Sequence, residues 1–216
     1  MKKPFSAWRE GAPIYVSLLL IGLIAGWAGS STPIGYWSWL ALVPGVFALN
    51  FFRDPVREIP PGAGDIVSPA DGKVVEIVHL DDSPFFEGRC LRISIFLNVF
   101  NVHVNRIPAE ATVLRTERQA GVYHNAMKPE SSDANVANTI WLDTPHGAMT
   151  VRQITGAVAR RIVSRVNPGD SVRKGEKFGM IKFGSRTELY LTPEAEALVS
   201  TGTAVKGGST ILARIL

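Results

Sequence analysis

Cysteine is almost missing from this chain. Cys90 stands alone among 216 residues, which excludes an intrachain disulfide and any cysteine-rich metal centre. It lies in the alternating run Cys90-Leu91-Arg92-Ile93-Ser94-Ile95-Phe96, where a buried structural thiol is expected. Histidine is scarce as well. His79, His103, His124 and His146 are the only four, and they show no metal-ligand spacing, so no metal is expected. No Gly-x-Ser-x-Gly elbow occurs, which removes the usual hydrolase nucleophile. The arginines are dispersed and no nucleic-acid reader motif is present. A net charge of +4 and a pI near 9.4 therefore point to an anionic partner other than nucleic acid.

The largest gap is one of charge. From Gly11 to Phe52 there is no Asp, Glu, Lys or Arg. That stretch is long enough for two passes of ~20 residues through hydrocarbon. Its apolar runs are Ile14–Trp27 and Tyr36–Phe52, separated by the turn-rich Gly29-Ser30-Ser31-Thr32-Pro33-Ile34-Gly35. Lys2, Lys3 and Arg9 flank one end and Arg53 and Arg57 the other. Positive charge on both flanks places both ends on the cytoplasmic side, and Trp8, Trp27, Trp37 and Trp39 suit the membrane interface. Residues 1–58 are thus expected to form a membrane-associated helical hairpin at the cytoplasmic face of the cell membrane. The first run is the shorter and the more shallowly embedded.

Residues 59–216 read as many short strands punctuated by Gly and Pro. Strands are expected at 66–68, 73–78, 90–97, 102–106, 111–118, 139–142, 149–156, 177–182, 188–191 and 210–215. Helix is expected only at Glu194–Ser200, with Gly156–Ser164 as a second candidate. The fold class is mainly β (α+β), an antiparallel barrel- or sandwich-like domain. Gly64–Val74 and Val166–Glu176 echo each other as strand–turn–strand units similar to the hammerheads of biotinyl and lipoyl carrier domains. In such carriers a hairpin-tip lysine bears the cofactor, and Lys182 stands roughly there. A membrane-anchored carrier or assembly module is therefore the alternative reading.

Five segments converge on another one. Phe51-Phe52-Arg53-Asp54-Pro55, Ser68-Pro69-Ala70-Asp71-Gly72-Lys73-Val74 and Asn101-Val102-His103-Val104-Asn105-Arg106 are the first three. Gly156-Ala157-Val158-Ala159-Arg160-Arg161-Ile162-Val163 and Lys177-Phe178-Gly179-Met180-Ile181-Lys182-Phe183-Gly184-Ser185-Arg186 complete them. In this order and spacing the chain resembles the short form of the phosphatidylserine decarboxylase family. The resemblance covers nearly the whole chain.

The resemblance implies a pyruvoyl enzyme matured by self-cleavage. Ser185 Oγ attacks the Gly184 carbonyl and an N-to-O shift gives an ester. Loss of the α-proton expels the Gly184 carboxylate, and the dehydroalanine left behind hydrolyses to pyruvoyl and ammonia. The products are a β chain of residues 1–184 and an α chain of residues 185–216. They form a heterodimer, with a dimer of such pairs also implied. The pyruvoyl cofactor forms a Schiff base with the substrate serine and accepts electrons as carbon dioxide leaves. The substrate is an anionic phospholipid in a membrane, and phosphatidylserine and archaetidylserine present the same headgroup.

A serine hydroxyl needs a base and an oxyanion site. His103 is the first candidate, because imidazole titrates around 6.5. Asp71 is its candidate partner, orienting the imidazole or activating Ser185; a turn-stabilising Asp before Gly is the plainer role. Long-form members carry a second histidine three positions after the one matching His103, where this chain has Arg106. Either His103 serves both cleavage and protonation, or another group takes one role. Arg106, Arg160, Arg161 and Arg165 are candidates for the lipid phosphate or serine carboxylate, since guanidinium forks match both anions. Asn101 and Asn105 alternate with His103 and are candidates for positioning substrate.

Overall fold

The computed structural model describes residues 5–32, 35–128, 130–157, 161–182 and 184–215. It divides into two compact units, Ser6–Pro55 on one side and Phe5 with the chain from Val56 onward on the other.

In the first unit, α1 runs over Ala7–Gly29. Pro13 lies inside this helix, past its first turn, and removes one intrahelical N–H donor. The second apolar run is broken into α2 (Gly35–Ser38), a 3-10 turn (Trp39–Leu42) and α3 (Val43–Phe51). Pro44 explains the break, since it lacks an N–H and starts α3 in the first turn. The two expected passes thus become one spanning-length helix, α1, and a shorter apolar helical segment, Trp39–Phe51. The longer helix is the one expected to be shallow. Gly22 and Gly26 sit directly under Leu42 and Trp39, with no room for a Cβ, so the hairpin's arms pack backbone to side chain. Their outer faces stay apolar, as Ile21, Ile24 and Trp27 are exposed.

The second unit is an all-antiparallel β structure. Its strands are β1 (Asp65–Val67), β2 (Gly72–Leu80), β3 (Cys90–Leu97), β4 (Val104–Arg106) and β5 (Ala111–Gln119). After a single helical turn, α4 (Ser131–Ala134), come β6 (Ala137–Thr144), β7 (Gly147–Thr155), β8 (Arg161–Ser164), β9 (Ser171–Val172) and β10 (Lys177–Lys182). The last are β11 (Ser185–Leu191), β12 (Glu196–Ala197), β13 (Ala204–Val205) and β14 (Ile211–Arg214). An eight-stranded sheet, ordered β13-β2-β3-β11-β7-β6-β5-β9, curls into a half-barrel. Two three-stranded sheets accompany it, β4-β10-β8 and β1-β14-β12. The two hammerhead-like segments meet at Ile107-Pro108. Val67 N–H donates to the Pro108 carbonyl and Ile107 N–H to the Glu176 carbonyl, at 3.0 and 2.8 Å.

Alternation decides what each face of the large sheet holds. Ile93, Ile95, Leu97, Val151, Leu189 and Leu191 point inward and build the core. Cys90 points to the other face, where it packs with Phe86 and Tyr190, and burial pushes its thiol pKa up. Two helical expectations fail. Glu194–Ser200 has the composition of a helix, but Ala195 is drawn into the core and Ala197 pairs with Ala213 as β12. Leu198 N–H also donates to the Leu212 carbonyl at 2.8 Å. Tertiary pairing outweighs a weak local propensity here. Within Gly156–Ser164, the segment Arg161–Ser164 is strand β8, its β-branched Ile162 and Val163 paired with Ile181 and Met180.

Candidate active site

Two connections run side by side from the small sheet to the large one. β10 ends at Lys182, and β11 begins at Ser185 in the middle of the large sheet, between β3 and β7. Ser185 pairs with Leu97 on one side and Thr155 on the other. The chain leaving Leu97 returns to the small sheet, where the His103 carbonyl accepts from Ile181 N–H at 3.3 Å. His103 and Ser185 therefore flank the same crossing.

At that crossing Gly184 takes φ +57, a left-handed conformation that disfavours other residues. Nothing lies within 4 Å of where its Cβ would be. Its carbonyl oxygen is crowded from elsewhere. A Cβ on Gly156 would lie 2.6 Å from the Gly184 oxygen and 3.2 Å from Ala126 Cβ. Ser185 is wholly buried, and its Oγ has no hydrogen-bond partner among the described residues. An unsatisfied buried hydroxyl costs ~1–3 kcal/mol, so its isolation is informative.

His103 is also wholly buried. Its Nδ1 lies 3.0 Å from the Asn101 carbonyl. A carbonyl only accepts, so this contact places a proton on Nδ1. Asn101 is held by its own turn, its Oδ1 accepting from Asn98 N–H at 2.9 Å. Asn105 is fully occupied. Its amide donates to Thr187 Oγ1 at 3.1 Å and to the Pro69 carbonyl at 3.3 Å, and its Oδ1 accepts from Gln153 at 2.9 Å. Asn138 extends this polar layer by donating to Gln153 at 2.9 Å.

Asp71 lies in a second cluster that reaches the same layer through Pro69. One carboxylate oxygen takes Arg57 at 2.7 Å and the other takes Gly207 N–H at 2.8 Å. Burial raises its pKa above 3.8; the Gly207 bond, Arg57 and Arg106 oppose the rise. Arg106 is buried and donates to the Gly175 carbonyl at 3.0 Å, while its backbone N–H donates to the Pro69 carbonyl at 2.9 Å. Arg161 is exposed on β8, opposite Lys182. Arg165 is fixed through its backbone N–H to the Phe178 carbonyl at 2.8 Å. Arg160 lies outside the described residues. Lys182 is only 7% exposed, whereas a carrier lysine has to stand on an exposed tip. Among the described residues, no group of three His, Cys, Asp or Glu side chains is placed to hold a metal.

On the opposite face of β11 lies a charged network that the sequence reading does not single out. Glu188 is wholly buried and accepts from Arg186 Nε at 2.8 Å, Ser132 Oγ at 2.6 Å, Tyr190 OH at 2.8 Å and Arg152 at 3.4 Å. Burial opposes its charge, but Arg186, Ser132, Arg152 and Tyr190 together hold its pKa below the usual carboxylate value. Arg186 reaches on to Glu76 and Ser94, both at 2.8 Å. The alternation Arg186-x-Glu188-x-Tyr190 was its only trace in the sequence.

Comparison with known proteins bears on this geometry. The family model described as phosphatidylserine decarboxylase matches residues 45–213. The chain belongs to the phosphatidylserine decarboxylase family. A phosphatidylserine decarboxylase proenzyme of Carboxydothermus hydrogenoformans is 42% identical over 220 residues, covering 100% of this chain and 99% of that protein. A proenzyme of the same name from Nitrosomonas eutropha is 38% identical, covering 95% and 93%. Another, from Neisseria meningitidis serogroup C, is 41% identical, covering 96% of this chain and 76% of that protein. A proenzyme is a chain awaiting processing.

Proposed function

We propose that this chain is the precursor of a membrane-associated phosphatidylserine decarboxylase that cuts itself between Gly184 and Ser185. The processed enzyme converts phosphatidylserine to phosphatidylethanolamine and carbon dioxide. One observation carries the reading: a wholly buried serine hydroxyl, uncommitted among the described residues, directly follows a carbonyl set at a left-handed glycine. Ser185 Oγ attacks that carbonyl, and His103 Nε2 takes the hydroxyl proton and returns it to the departing Ser185 nitrogen. The peptide bond is exchanged for an ester. Removal of the Ser185 α-proton then releases the Gly184 carboxylate. Water completes the change to a pyruvoyl terminus and ammonia. Asp71 is the second group we assign to the site, its carboxylate held between Arg57 and the Gly207 N–H.

The site suits such a terminus. Position 185 has no exposure. An ordinary ammonium there would be a desolvated charge; a ketone is neutral. That group supplies an electrophile for the substrate amine and an electron sink for the bond to the departing carboxylate. Arg161, exposed on β8, is the cation assigned to the lipid phosphate, with Arg160 beside it in sequence. The apolar faces of α1 and the segment Trp39–Phe51 support insertion of the first unit into the bilayer. At 1.5 Å per residue, the 23 residues of α1 match a hydrocarbon core of about 30 Å.

Intact mass before and after borohydride tests the reading. Two chains meeting at 184/185 are expected, the smaller one blocked and gaining the mass of a reduced ketone. Ser185→Ala is expected to remain one inactive chain. Decarboxylation by Ser185→Ala, or by a wild-type chain of full mass, overturns the proposal.

A further inference from the structure

The network on the far face of β11 spans the bond that self-cleavage would break. Arg186 and Glu188 belong to the segment after the cut. Glu76, Ser94, Ser132 and Arg152 belong to the segment before it. Four of the contacts described above cross this divide: Arg186 to Glu76 and to Ser94, both at 2.8 Å, and Glu188 to Ser132 at 2.6 Å and to Arg152 at 3.4 Å. Arg186 and Glu188 also bind each other at 2.8 Å within the later segment and so couple the two sets.

We infer that this network is an inter-chain lock that holds residue 185 in place once the backbone on its amino side is gone. The inference rests on the self-cleavage reading. A newly made chain terminus ordinarily frays, and its ladder bonds at the first residue are the first to open. Here the terminus would carry the reacting group, so fraying would misplace the chemistry itself. The residue directly after it is the one most heavily tied down: Arg186 is 1% exposed and its guanidinium bonds two carboxylates and a hydroxyl. Charge-assisted bonds of this kind are the strong ones, and burial keeps salt from screening them. The lock is also redundant before the cut. While the chain is continuous, Gly184 tethers Ser185 covalently, and the network adds little to its position. Its effect on placement should therefore appear only in the processed protein. These are positioning residues, not catalytic ones.

The test compares variants in the full-length protein, cleaved and uncleaved, the latter obtained with Ser185→Ala. Glu76→Gln removes a cross-chain partner from a half-exposed position; Ser132→Ala, a smaller change, removes another. Trp141→Phe is the control, because its indole N–H donates to the Phe85 carbonyl at 3.1 Å, a bond wholly within residues 1–184. The urea midpoint and the release of the 185–216 fragment are read in each background. Glu76→Gln and Ser132→Ala should lower the midpoint about twofold further in the cleaved protein than in the uncleaved one, since a tethered segment rebinds at high effective concentration. Trp141→Phe should lower both alike. Cleavage should stay complete, and kcat should fall about tenfold with KM little changed, as displacement of a reacting group predicts. Equal midpoint shifts in both backgrounds for the cross-chain variants would overturn the lock. A wild-type chain that never cleaves would instead overturn the reading beneath it, and the two failures are told apart by mass alone.

Discussion

Gly156 offers the sharpest test of how the scissile carbonyl is held. Adding one methyl group places a carbon 2.6 Å from the Gly184 oxygen, where ordinary contact begins near 3.4 Å. The oxygen or the Gly156 backbone must give by roughly 0.8 Å. Retreat in the other direction is limited by Ala126, whose Cβ would be 3.2 Å from the new methyl. Overpacking of this kind costs ~1–3 kcal/mol of stability, which a folded chain survives. The attack geometry is less tolerant: a displacement of about 1 Å at a reacting atom costs on the order of 10²-fold in rate. Gly156→Ala should therefore fold, with a modestly lowered melting temperature, and self-cleave ~100-fold more slowly. Gly184→Ala is the contrasting case. Its new methyl meets open space, and only the left-handed φ of +57 opposes it, a cost of ~1–2 kcal/mol. The assay follows loss of the full-length band by intact mass after synthesis. Gly156→Ala maturing at the wild-type rate would refute the argument, because the carbonyl's position would then not be set by this contact.

Three further outcomes follow from the same geometry. His103→Ala should slow maturation by ~10²–10⁴-fold, the usual worth of a positioned base; unchanged maturation and turnover would remove His103 from the site. The Glu188 pKa is held below 4.5, so its stabilising effect is whole above that pH and is lost as pH falls through the lower folded value. Asp71 works with opposite sign, its raised pKa withdrawing stability as pH climbs from 3.8 through the folded value. Urea midpoints of Asp71→Asn should accordingly show a steeper fall below pH 4.5 than wild type, and a shallower one would contradict the assignment. Finally, the full-length protein should float with phospholipid vesicles and resist extraction by high salt, yielding only to detergent, because insertion of α1 is apolar rather than ionic. Release by salt alone would place the contact at the lipid surface.

Much of this was legible in the linear chain because it depended on local pattern. The alternation in Cys90–Leu97 and the apolar run in Lys177–Lys182 define β3 and β10 with no knowledge of their neighbours. Gly184-Ser185 drew notice through the segments around it. What stayed hidden depended on register. Glu188 acquires Arg152 as a neighbour only because β11 pairs with β7 in one particular alignment. Gly156 looks like any loop glycine until the Gly184 carbonyl is placed against it. β12 was hidden for the opposite reason: Glu194–Ala197 has good local helix formers, and partners far along the chain overrule them. The hairpin sits between these cases. Its apolar extent was plain, but the reach of α1 through Arg9, Glu10 and Pro13 was not, since those residues ordinarily argue for a later start.

The strand order of the sheets carries a consequence for how the molecule could ever be taken apart. The piece after Gly184 is short, yet it supplies β11, inserted between β3 and β7, and β14, inserted between β1 and β12. Both are interior strands. Without that piece the remainder would hold one slot, between β3 and β7, lined by unpaired N–H and C=O groups on both rims, and β1 would lose its only partner strand among the described residues. Such a remainder could not be prepared as a stable half and reunited later with its complement. If the chain divides as proposed, assembly has to precede division, an order set by which strand lies in the middle.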